Sequence, residues 1–124
     1  MNTKVRSYLI DLARKTEGYT TTYQRLSDDC ELGLQMQEKP SDSNILASIL
    51  EEISVFEYEG QRPLLSALVV RAADNQEGDG FYRIAEKLGF GDRDALKEEG
   101  KFAKEQIHKC LEFWRDDKNF NSKR

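Results

Sequence analysis

Arg62-Pro63-Leu64-Leu65-Ser66-Ala67-Leu68-Val69-Val70 carries the most sustained apolar run of the chain, and its reading decides what the neighbouring helices pack against. The run is short and partly β-branched, with Gly60 and Pro63 before it and Asp74, Asn75 and Gly78 after it. These features predict a buried strand over 64–70. A lone strand leaves its backbone groups unpaired, so it needs a partner, and 55–59 or the stretch after Phe81 are the nearest candidates. Ser66 lies between Leu65 and Ala67 rather than between glycines, which makes it a strand hydroxyl and not a nucleophile on a sharp turn.

Upstream, Ile45, Leu46, Ile49, Leu50, Ile53 and Phe56 form a wide apolar stripe at helical spacing, which predicts a helix against the centre of the core ending near Gly60. Ser41-Asp42-Ser43-Asn44 offers its N-cap. Thr22 is placed to cap a shorter helix from Tyr23 towards Cys30, with Tyr23, Leu26 and Cys30 inward. The first helix sets Val5, Tyr8, Leu9, Leu12 and Ala13 on one face, leaves Lys4, Arg6, Asp11 and Arg14 to solvent, and closes before Gly18. Downstream, Asp79 is expected to cap a helix carrying Phe81, Ile84, Ala85 and Leu88 up to Gly89. One long amphipathic helix then starts near Asp92 or Asp94, with Leu96 and Phe102 near its beginning. Its second half faces Ala103, Ile107, Cys110, Leu111 and Trp114 inward. The reading is a mainly α fold with a small β element (α+β): a single helical domain over 1–115, followed by a polar tail over 116–124.

Helix, short capped helix, turn, third helix, then strand is the order of winged-helix domains. Thr22-Tyr23-Gln24-Arg25-Leu26-Ser27, the helix from Ile45 to Ile53, and Arg62 to Val70 together resemble the winged-helix region of alkylguanine-DNA alkyltransferases. There a Thr-Tyr-Gly-x-Leu-Ala helix precedes a recognition helix and a Pro-Cys-His-Arg-Val-Val segment. The resemblance spans about residues 19–90 and implies a winged-helix-like centre. Leu64 stands where that family has its alkyl-accepting cysteine and Leu65 where it has histidine, so alkyl transfer is excluded. The block from Glu57 through Gly60, Arg62 and Pro63 to Ser66, followed by Gly78-Asp79-Gly80-Phe81, also resembles a pattern of small bacterial proteins, and no function comes with it.

The 124 residues suffice for one hydrophobic core, and a charged fraction of 34% against 38% hydrophobic suits a globular chain. No apolar run approaches a membrane span, and no signal-peptide pattern follows Met1, so the expected location is cytoplasmic. Cys30 and Cys110 are expected as reduced packing residues, with a disulfide left open. His108 is the only histidine, and its helical neighbours are Lys104, Glu105, Leu111 and Glu112, which supply neither a nucleophile nor an orienting group. One His and two distant Cys offer no zinc spacing. Gly78-Asp79-Gly80 invites a phosphate at a helix start, but the aspartate occupies the place an anion would take. No cofactor and no metal are expected.

Charge discriminates between the remaining readings. Residues 31–62 carry Glu31, Glu38, Asp42, Glu51, Glu52, Glu57 and Glu59 against Lys39 and Arg62, a local net charge of −5. The presumed recognition helix has no Lys or Arg over 44–59, and non-specific affinity for nucleic acid comes from neutralising phosphates. The expectation is therefore a non-enzymatic acidic module of the immunity, inhibitor or regulator type. It would engage a protein partner, a basic one among the candidates, through Glu51, Glu52, Glu57, Glu59, Arg62 and Phe113. The alternative is a winged-helix DNA-binding regulator reading bases through Ser41, Ser43, Asn44 and Ser48. A second alternative is a metal-dependent hydrolase using the Glu51–Glu59 carboxylates.

Overall fold

Asn2 accepts a hydrogen bond from the Val5 N–H at 2.9 Å and so starts the first helix, α1 (Thr3–Ala13). Thr22 does the same for α2 (Tyr23–Asp29), accepting from the Arg25 N–H. The computed structural model describes residues 1–124. The remaining elements are β1 (Thr21–Thr22), α3 (Pro40–Glu59), a 3-10 turn (Leu65–Leu68), β2 (Val69–Val70), α4 (Asp79–Lys87), α5 (Arg93–Glu99), α6 (Phe102–Arg115) and α7 (Asp117–Lys123). The chain is mostly helical, with one two-stranded sheet. No helix is long and apolar enough to cross a membrane.

The apolar run 64–70 is buried throughout, but it is not a strand over its whole length. Leu65–Leu68 winds as a 3-10 turn, and only Val69–Val70 is extended. With three residues per turn, side chains three apart eclipse. Leu65 and Leu68 therefore face the larger core with Val5, Leu9, Leu26, Leu46, Ile53 and Trp114, while Leu64 and Ala67 face a smaller one with Phe81, Tyr82, Leu96 and Phe102. The turn is the partition between the two cores, and truncating Leu68 there should cost about 2–5 kcal/mol. The partner of β2 is neither expected stretch. Val69 and Val70 pair in parallel with Thr21 and Thr22, just ahead of α2.

Helix α3 begins earlier than its polar cluster suggested. Pro40 occupies the first turn, where a missing N–H costs nothing, and Ser41, Ser43 and Asn44 lie inside the helix. Asp42 reaches back to accept from the Gln35 N–H at 2.9 Å and holds the preceding loop. Its buried face is Leu46, Leu50, Ile53, Ser54 and Glu57, whereas Ile45 and Phe56, expected inside, are 49% and 44% exposed. On α1, Arg6 departs from expectation in the other direction and is buried. Gly78, not Asp79, is the N-cap residue of α4.

The long final helix is broken in two. Gly100 takes the left-handed conformation, φ +70°, ends α5, and lets α6 return against α1 and the 3-10 turn. The polar end of the chain is helical as well: Asp116 accepts from the Lys118 and Asn119 N–H groups and starts α7, which buries no residue. Cys30 and Cys110 are buried free thiols, and burial pushes both above the usual thiol range.

Candidate functional site

The C-terminal end of α3 places Glu57 on the buried side, where it is fully enclosed. Its two oxygens accept from different guanidiniums, Arg6 Nε at 2.5 Å and Arg62 Nε at 2.5 Å. The Phe56 ring lies under both cations, 5.0 Å from Arg6 and 5.1 Å from Arg62. Arg62 can fold back in this way because residue 60 is glycine; a Cβ there would meet the Arg62 guanidinium at 2.2 Å. Gln61, at φ +59°, turns the chain. Beyond Pro63 the backbone is pinned to α6, with the Leu64 N–H donating to Gln106 Oε1 at 3.0 Å and the Cys110 thiol donating to the Leu64 carbonyl at 3.4 Å.

This folding opens a cleft of about 730 Å³. One wall is the end of α3 and its turn, with Tyr58, Glu59, Gln61, Arg62 and Pro63; the other is α6, with Gln106, Lys109, Glu112 and Phe113. Phe90, from the turn after α4, closes one end, its ring edge-on to Tyr58 at 5.5 Å and 5.0 Å from Phe102. Tyr58 and Phe90 are among the few large apolar side chains left exposed. Arg62 is engaged by Glu57, and Glu112 lies 2.9 Å from His108 Nε2. Glu59 and Lys109 make no ion pair or side-chain hydrogen bond, so each is open to a charge brought by a partner.

Of the six residues expected to bind a partner, Glu59, Arg62 and Phe113 meet in this cleft. The others do not. Glu57 is sealed inside, out of reach of any partner. Glu51 pairs with Lys87 at 2.7 Å, and Glu52 with the amino group of Met1 at 2.9 Å. The acidic face read from the sequence is thus largely neutralised by the chain itself. These carboxylates do not converge, and no group of three His, Cys, Asp or Glu is placed to hold a metal ion.

Ser41, Ser43, Asn44 and Ser48 are all exposed on α3. Ser43 and Asn44 line a second groove of about 390 Å³ with Tyr23, Gly78, Arg71 and Arg83. Arg71 is held by Asp74 in a two-point contact at 3.3 and 2.6 Å, which leaves Arg83 as the free cation there. The Tyr23 hydroxyl accepts from the Gly78 N–H at 3.2 Å, and burial raises its pKa. Asp79 turns away to Lys97 at 2.5 Å, and that lysine holds its carboxyl below the usual range. Glu77, next to Gly78, is 4% exposed and keeps one buried oxygen without a partner. Burial drives its pKa up, its own backbone N–H opposes this, and Asp74 adds to the rise.

Sequence reasoning missed Tyr58, Phe90, Gln106 and Lys109 as cleft residues, because the turn at 60–63 that gathers them carries no periodic signal. Arg6 and Glu57 did carry one. Arg6 shares the spacing of Leu9, Ile10 and Ala13, and Glu57 that of Leu50, Ile53 and Ser54, so each charge stands on a buried stripe. Comparison of the chain with protein-family models, with curated proteins and with solved structures gives no match.

Proposed function

We propose that this chain is a non-enzymatic binding module that engages a protein partner through the cleft between the end of α3 and α6. One observation carries the reading: three aromatic side chains, Tyr58, Phe90 and Phe113, gather in an open cleft rimmed by Glu59, Arg62 and Lys109. Aromatic residues and arginine, set among polar groups, are the composition of protein interfaces and of their energetic centres. The attraction of a basic partner to an acidic face loses its support, since Glu51, Glu52 and Glu57 are each paired within the chain. Shape and aromatic contact take its place. The test is a photo-crosslinking side chain at Phe90, compared with one at exposed Glu17, in the native cell. Polypeptide adducts at position 90, absent at position 17 and abolished by Tyr58→Ala, are expected. No adduct at position 90 would remove the reading.

A second reading, the winged-helix-like DNA-binding regulator, draws support from the groove that joins Ser43 and Asn44 to Arg71 and Arg83. It ranks lower because α3 has no Lys or Arg and Arg71 is already paired. Its test is retention on duplex DNA at about 50 mM salt, reduced by Arg83→Glu; no retention ends it.

A further inference from the structure

Resting on the cleft reading above, we infer that the occupant is a proline-rich segment of another protein, bound as a polyproline II helix with a basic residue against Glu59. The cleft has no strand edge, since the sheet consists only of β1 and β2 and neither lines it, so an added β-strand would find nothing to pair with. What the walls do offer is aromatic surface from Tyr58, Phe90 and Phe113, together with side-chain donors: the Gln61 and Gln106 amides, Lys109 and the Tyr58 hydroxyl. Gln106 uses its oxygen on Leu64, which leaves its NH₂ group free to donate.

Aromatic faces with separate donors match polyproline II, whose rings are apolar and whose carbonyls are all unpaired. An α-helical occupant satisfies its own carbonyls and would have only its side chains to offer those donors. Charge then sets direction. Of the two carboxylates in the cleft, Glu112 lies 2.9 Å from His108 Nε2, whereas Glu59, beside the turn that ends α3, makes no ion pair or side-chain hydrogen bond and favours arginine or lysine at that end. A second copy of the chain does not supply such a segment, because its prolines are Pro40, inside α3, and Pro63, already in the cleft wall.

The experiment titrates the full-length ¹⁵N-labelled chain with three synthetic peptides. One is proline-rich and ends in arginine, one is its copy ending in glutamate, and one is alanine-rich, helical and matched to the first in charge. Saturable shifts confined to Tyr58, Glu59, Phe90, Gln106, Lys109 and Phe113 are expected for the first peptide. Glu59→Lys should weaken that peptide about fivefold and favour the glutamate-ended copy instead, in line with reversal of an exposed ion pair. No saturable shift, shifts outside the cleft, equal binding of the helical peptide, or a Glu59→Lys variant with unchanged preference would each overturn the inference. If the Phe90 crosslinks carry a polypeptide whose contact sequence lacks proline, this inference falls while the cleft reading stands.

Discussion

Two carboxylates lie inside this protein, and the chain treats them in opposite ways. Glu57, at the end of α3, has a guanidinium on each oxygen. Glu77, in the loop leading to α4, has one oxygen facing no donor at all. A buried ion pair recovers its desolvation cost only when geometry and hydrogen bonding are complete, whereas an orphaned buried oxygen carries its cost uncompensated. The first carboxylate therefore locks the end of α3, while the second leaves the 71–78 loop as a place where stability is held back.

The largest expected effect breaks the first half of the comparison. Glu57→Ala leaves two arginines facing each other across a buried gap and should lower stability by about 3–5 kcal/mol in denaturant unfolding. The variant Arg6→Leu/Glu57→Met/Arg62→Met removes all three charges together and is expected to recover most of that loss. A triple variant as unstable as Glu57→Ala would show that these three side chains contribute more than their mutual pairing.

Glu77 sets the next effect. Its folded-state pKa is raised, so the folded chain holds the proton more tightly than the unfolded one, and the associated stability is full at acid pH and lost as pH rises through the folded value. Glu77→Gln, which cannot ionise, should raise the melting temperature at neutral pH by the equivalent of about 1 kcal/mol. The gap to the natural chain should close as pH falls towards 4, near the ordinary glutamate value. A gap independent of pH would assign the gain to packing. The smallest effect belongs to the surface: Lys87→Met should cost about 0.5 kcal/mol at low salt and nothing measurable at high salt, the behaviour of the exposed Glu51 pair.

Helices α1 to α4 were legible from apolar spacing, and so was the burial of 64–70, but of their caps only Thr22 of α2 was read from the sequence. Its shape was not, because an unbroken apolar run has no period by which a 3-10 turn differs from a strand. The partner of β2 stayed hidden for a related reason, since Thr21-Thr22 is too short and polar to read as a strand. Gly100 went unread because Leu96, Phe102 and Ala103 continue the amphipathic pattern across it. Glu59, Arg62 and Phe113 were legible as residue types, but their meeting depends on the fold-back of Arg62 over Gly60, which no local pattern announces.

Arg6, near the start of the chain, donates to the carbonyl of Lys123 at 2.9 Å and lies 5.6 Å from the Trp114 ring. During synthesis the amino-terminal half therefore emerges with its largest core neighbour still untranslated, and Arg6 and Glu57 must wait for the final helices before water leaves them. Chains stopped short of Trp114 should remain open and vulnerable to proteases, so this fold offers no smaller unit that an internal stop could release intact.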